Sequence, residues 1–250
     1  MRRALAAAGV TAAEIDRRVL CLDSKGLILK DRPGLSGHKV EIAGDPDIVR
    51  GWAVTGSRIG LADVVRAFAP TTLVGVSGQP ASFTEDIVRT MHAAVARPII
   101  LTLSNPTSKV EARPEQLLAW TNGAAIIGTG SPFAPVLHDG VTYHIGQCNN
   151  AFVFPGIGLA ASVVGAKSVP DAAFAAAAAA VHEATGTSNV PGTSIFPPIA
   201  ELRAVSARVA VAVGKALVQA GVNRVSEDID VDAAIHQAIW EPKYLPYRAG

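Results

Sequence analysis

Three short runs, Thr72-Leu73-Val74-Gly75-Val76, Pro98-Ile99-Ile100-Leu101-Thr102-Leu103 and Ala124-Ala125-Ile126-Ile127-Gly128, are apolar throughout, and each is followed by Ser or Thr. Strands buried on both faces of a parallel sheet require such continuous apolarity; a sheet with one wet face would alternate. Between the runs lie helical patterns at about 61–68, at about 84–96 starting near Thr84-Glu85-Asp86, and at about 114–120 with Pro114 in the first turn. An earlier unit has the same form: a helix-like stretch at about 2–17, then Val19-Leu20-Cys21-Leu22 ending at Asp23. Strand alternating with helix predicts an α/β fold with right-handed crossovers.

Downstream the pattern turns helical, at about 157–166, 170–185 and 199–220, and residues 175–180 are consecutive alanines, the best helix formers. Pro191-Gly192 and Pro197-Pro198 mark a loop between the last two long helices. A single domain over 1–250 is expected, with an α/β part to about 150 and a mainly helical part after it.

Composition narrows the function. The chain is 49% hydrophobic and 17% charged, so it can bury enough apolar surface to offset chain entropy. Its formal charge of +1 gives no drive toward nucleic acid or an acidic membrane. Cys21 and Cys148 stand far apart with no CxxC, which argues against a disulfide framework or a zinc site and suits a reducing compartment, by default the cytoplasm. Arg2 and Arg3 precede an Ala-rich stretch, but charged residues follow at once and no signal-type apolar core develops. Apolar stretches such as 158–166 are too short to span a bilayer, which needs roughly 20 residues.

The candidate binding residues cluster where strands end. Asp23 follows an early strand, where a carboxylate can accept hydrogen bonds from ribose hydroxyls; a turn cap accounts for it as well. No GxGxxG turn precedes it in this chain. The look-alike Gly156-Ile157-Gly158-Leu159-Ala160-Ala161 is read instead as small residues that let a helix pack closely, because Pro155 interrupts the supposed strand. Ser77-Gly78-Gln79-Pro80 and Ser104-Asn105-Pro106-Thr107 each follow a buried strand, at the edge where open α/β sheets bind ligands; ordinary turns explain them too. Gly146-Gln147-Cys148-Asn149-Asn150 is a second amide cluster. An amide donates to a carboxylate and accepts from a hydroxyl without a charge to desolvate, which suits a small hydroxy acid. His38, His92, His138, His144, His182 and His236 show no HxxxH spacing, and there is no HExxH, GxSxG or Walker loop.

Longer blocks carry a resemblance. VLCLDSKGLI (19–28), LVGVSGQPASFTEDIV (73–88), RPIILTLSNPTSKVEARPEQLLAW (97–120), GTGSPFAPV (128–136), IGQCNNAFVFPGIGL (145–159), IFPPIAELRAVSARVA (195–210) and the tail Trp240–Tyr247 resemble consecutive blocks of the NAD(P)-binding domain of malic enzymes. The resemblance implies a Rossmann-like, doubly wound, mostly parallel sheet lacking its first strand, with a helical C-terminal part. It implies oxidative decarboxylation of L-malate to pyruvate and CO2 with reduction of NAD or NADP, assisted by Mg or Mn. By motif, Asn105 and Asn149 correspond to substrate-contacting amides, and Asp23, Ser24, Lys25, Ser77, Gly78, Asn105 and Asn150 to the cofactor edge.

The family's catalytic Tyr and Lys, its acidic metal ligands and its glycine-rich turn match nothing here, so no catalytic or metal-binding residue is assigned. A chain without them is expected to be inactive in isolation. Ser24 and Lys25 could hydrogen-bond and neutralise a ribose 2′-phosphate, which tilts the expectation toward NADP. The implied partners are L-malate and, in full-length form, further copies of the chain, without nucleic acid or membrane. A malolactic enzyme fragment and a non-catalytic nucleotide-binding or oligomerisation remnant are the alternatives.

Overall fold

A computed structural model describes residues 1–244 except 55, 57, 187–189 and 227. Leu245, Pro246 and Tyr247 of the C-terminal block therefore lie outside the described residues. Contacts divide the chain into two units, one holding Met1–Cys148 with the described residues of 188–195, the other the described residues of 149–187 and 196–250.

In the first unit the N-terminal helical stretch is two helices, α1 (Arg2–Ala7) and α2 (Ala12–Arg18). Thr11 caps α2: its hydroxyl accepts from Glu14 N while Glu14 Oε2 accepts from Thr11 N, so two backbone donors at the helix start are satisfied reciprocally. The run after α2 departs from expectation. Only β1 (Leu22–Asp23) is extended as strand, and it pairs antiparallel with β2 (Gly26–Leu27) instead of joining a parallel sheet. Local chemistry explains the outcome. The turn Ser24-Lys25 closes at little entropic cost, Asp23 Oδ1 accepts from Lys25 N at 2.8 Å, and Gly26 takes φ +101. Gly26 also has no room for a side chain, since a Cβ would stand 2.6 Å from the Ile59 carbonyl oxygen.

Helix α3 (His38–Ile42) and α4 (Leu61–Phe68) lead to the main sheet. Its strands β3 (Thr72–Gly75), β4 (Ile99–Thr102) and β5 (Ile126–Thr129) are parallel neighbours in sequence order, separated by α5 (Glu85–Ala94) and α6 (Pro114–Trp120). A hairpin of β6 (Val136–His138) and β7 (Val141–Tyr143) then leads to β8 (Gly146–Gln147), which joins β5 in parallel. The register aligns Gly75, Thr102, Thr129 and Gln147 in one row at the carboxyl ends of the four strands. Leu73, Ile87, Val88, Met91, Ile100, Leu117, Leu118 and Ile127 form the core beneath, each worth roughly 1.5–3 kcal/mol of burial.

The second unit is helical: α7 (Phe154–Val163), α8 (Asp171–Thr185), α9 (Leu202–Gln219) and α10 (Val231–Ala238) around a core of Phe152, Val164, Ala177, Val209, Val213, Leu217 and Ile235. The alanine run lies in α8, where Ala177 and Ala180 are buried. The glycines expected to permit close packing lie on α7. A Cβ on Gly156 would stand 2.6 Å from the Ser206 carbonyl oxygen and 2.8 Å from Val209 Cγ1, both on α9. No helix among the described residues is long and apolar enough to cross a membrane.

Candidate functional site

The loops that follow β3, β4 and β5 meet at one rim and are tied together by side chains. Ser77 donates through both N and Oγ to Glu111 Oε1, at 3.0 and 3.1 Å. Gly78, at φ +65, donates its N–H to Ser104 Oγ at 2.9 Å, and Ser104 Oγ in turn donates to Glu111 Oε1. Ser131, after β5, donates its hydroxyl to Asn105 Oδ1. Gln147, at the end of β8, donates to the Gly130 carbonyl at 3.1 Å. A Cβ on Gly130 would stand 2.1 Å from the Leu103 carbonyl oxygen and 3.0 Å from Asn105 Nδ2, so only glycine lets the Asn105 loop lie this close to the next strand.

Ser77, Gly78 and Asn105 are thus brought together on one sheet edge, with different readiness to bind. Asn105 is exposed, and with its carbonyl engaged by Ser131 the amide NH2 remains to donate to a ligand. The N–H groups of Ser77 and Gly78 are already committed to Glu111 and Ser104, so what these two residues offer a ligand is the shape of the turn more than free donors.

Asp23, Ser24 and Lys25 lie on the β1–β2 hairpin, off the parallel sheet. The Asp23 carboxylate is saturated. Arg32 donates to both its oxygens, at 3.0 and 2.6 Å, Lys39 Nζ lies 2.6 Å from Oδ2, and Lys25 N takes the remaining position on Oδ1. The Arg32 guanidinium, outweighing the opposing effect of burial and helped by Lys39 and the Lys25 amide, holds this carboxyl well below the usual carboxylate range. Asp23 therefore stays ionised at any ordinary pH, but its lone pairs are occupied by Arg32, Lys39 and the Lys25 amide. Arg32 and Lys39 together leave an excess of positive charge around one carboxylate.

Asn149 and Asn150 open the second unit. The Asn149 side-chain Oδ1 accepts from Ala151 N at 2.9 Å, capping the short turn Asn150–Phe152, while Asn150 is exposed.

Ser104 belongs to a cluster that the sequence singles out, but Glu111 and Ser131, which organise the rim with it, were not singled out, and nothing local marks Glu111 as fully buried. Arg32 and Lys39 were missed because the ion pair spans nine and sixteen residues with no periodic spacing. Among the described residues no group of three His, Cys, Asp or Glu side chains could hold a metal ion, so the residues present do not fit a resident Mg or Mn. Burial pushes the thiols of Cys21 and Cys148 up, away from the nucleophilic thiolate.

The family model described as "Malic enzyme, NAD binding domain" matches residues 1–218. The chain is 44% identical over 240 residues to an NAD-dependent malic enzyme of Sodalis glossinidius, covering 96% of this chain and 42% of that protein. It is 41% identical over 244 residues to an NAD-dependent malic enzyme of Acinetobacter baylyi, covering 98% and 43%. The chain thus spans less than half the length of these relatives. Among solved structures, an Entamoeba histolytica malic enzyme superposes with a TM-score of 0.68 at 22% identity, over 88% of this chain and 40% of that one, a likeness of fold.

Proposed function

We propose, since this chain belongs to the malic enzyme family through its NAD-binding domain, that it is the part of a decarboxylating malate dehydrogenase that holds the nicotinamide dinucleotide and one side of the substrate. The whole reaction would convert L-malate to pyruvate and CO2 with reduction of NAD(P). The observation that carries this reading is the rim itself, where Asn105, fixed by Ser131, shares one sheet edge with the Ser77–Gly78 turn fixed by Glu111. A rim with glycine-only approach at Gly130 and a pinned turn at Gly78 is a preformed cradle of the kind open α/β sheets offer a dinucleotide.

Bound there, the nicotinamide ring would accept a hydride from the hydroxyl-bearing carbon of malate. The chain's own residues orient. Asn105 donates its NH2 to the substrate carboxylate or the cofactor, and Ser77 and Gly78 shape the cofactor edge; the resemblance by motif makes Asn149 a further substrate-contacting amide and Asn150 a further cofactor contact. The metal-dependent part of the family's chemistry finds no ligand set among the described residues. The family match runs across both units, which supports reading them as one functional domain. A cytoplasmic location and a homo-oligomeric full-length form belong to the same proposal.

The named relatives are NAD-dependent, which supports NAD as the cofactor. A specific observation favours NADP as a second reading. Arg32 and Lys39 both bind Asp23, and Ser24 and Lys25 follow it in the turn, a set able to meet a ribose 2′-phosphate while Asp23 has no lone pair to spare for a free hydroxyl. Calorimetric titration with NAD and with NADP tests both readings. Binding of either supports the cofactor role, binding of neither removes it, and the tighter of the two decides the preference.

A further inference from the structure

Glu111 is fully buried under the rim, in the loop between β4 and α6. Its Oε1 takes three hydrogen bonds, from Ser77 N, Ser77 Oγ and Ser104 Oγ, while Oε2 has no hydrogen-bond partner among the described residues. Thr102 Oγ1, also fully buried and in register with Gly75, lacks one as well. A buried oxygen without a partner is destabilising, so an apolar side chain would fill this place at lower cost if stability were the only demand. What an apolar residue could not do is direct donors. Glu111 turns both the N–H and the hydroxyl of Ser77 inward, and holds Ser104 so that its oxygen accepts from Gly78 N.

We propose that Glu111 is a positioning residue for the dinucleotide: through the paired contacts to Ser77 and Ser104 it fixes the turn on which the cofactor lies, without touching the cofactor. The inference rests on the cofactor reading above. Glu111 belongs to a different loop from the turn it controls, and links it to the loop that carries Asn105, so one side chain sets the relative placement of two binding loops.

The test titrates the full chain and its E111Q, E111A and S104A variants with NAD, NADP and ADP-ribose by calorimetry, alongside amide hydrogen exchange and thermal unfolding. E111A is expected to weaken binding by about tenfold or more, with the Ser77 and Gly78 amides exchanging faster while β4 amides keep their protection. E111Q retains an acceptor oxygen and is expected to restore affinity to within about threefold of wild type, a rescue that bulk stability alone would not produce. Wild-type affinity in E111A, or no rescue by E111Q, overturns the proposal. If E111A does not fold, S104A decides: weakened binding supports the role, unchanged binding overturns it. A wild-type chain that binds none of the three compounds removes the cofactor reading and this inference together, an outcome distinct from E111A binding as well as wild type.

Discussion

The carboxyl carbon of Glu111 occupies the place where a side chain on Gly75 would begin, 2.5 Å from the position of a Gly75 Cβ. The two residues lie 36 positions apart and come from different elements, yet Gly75 cannot take a side chain while Glu111 keeps its place.

Substituting Gly75 by Ala should therefore push Glu111 out of place. The expected cost is about 1–3 kcal/mol of overpacking, read by chemical denaturation. Gly78→Ala is the control: nothing stands within 4 Å of its Cβ position, so only the φ of +65 penalises it, by roughly 1–2 kcal/mol. Faster exchange at the Ser77 amide should follow Gly75→Ala, and an unchanged rate would show that Glu111 had not moved.

Ser131→Ala removes the hydroxyl that holds the Asn105 carbonyl. The amide then becomes free to rotate, and dinucleotide or malate affinity should fall about threefold to tenfold, with a stability change near 1 kcal/mol. Calorimetry beside a thermal melt separates the two effects. Equal affinities would mean that Asn105 is not oriented through this bond.

Asp23 provides a pH signature. Its folded-state acidity lies well below the usual carboxylate range, so the stability it contributes is fully present above the unfolded value of roughly 4 and fades as pH drops below that toward its folded value. Asp23→Asn should be less stable than wild type at pH 7, by about 1 kcal/mol, because Arg32 and Lys39 lose their counter-charge. The gap between the two unfolding curves should narrow below about pH 4. A gap that stays constant down to pH 2 would rule out the ion pairs as its source.

In the second unit, two glycines of one helix should respond with opposite signs. Gly156→Ala drives a methyl group against the Ser206 carbonyl and Val209, and should cost about 1–3 kcal/mol. Gly158→Ala meets nothing within 4 Å and should gain about 0.5–1 kcal/mol from helix propensity. Melting temperatures of the two variants decide the matter, and a loss at Gly158 would contradict the packing described.

Much of the architecture was legible because its signals are local. Continuous apolar runs marked β3, β4 and β5, and the bounds Leu61–Phe68 and Pro114–Trp120 follow from the apolar spacing and from Pro114 at the first helical position. The β6–β7 hairpin was not anticipated, although Asp139-Gly140, both at positive φ, is a standard signal for a two-residue turn. The strand expected at Val19–Leu22 was misplaced for the opposite reason, since an apolar run does not say which partner it will pair with.

The sequence by itself determined that the runs of β3, β4 and β5 extend, that helices lie between them, and that Ser77, Gly78 and Asn105 follow parallel strands, because each of those outcomes depends on neighbours within a few positions. Only the tertiary structure decided that Glu111 would lie beneath that edge on Gly75, that Ser131 would hold the Asn105 amide, and that Arg32 and Lys39 would saturate Asp23. Those contacts join residues far apart along the chain. They exist because strand register and the space left by glycine bring particular atoms within hydrogen-bond reach, and no periodicity in the sequence encodes such a distance.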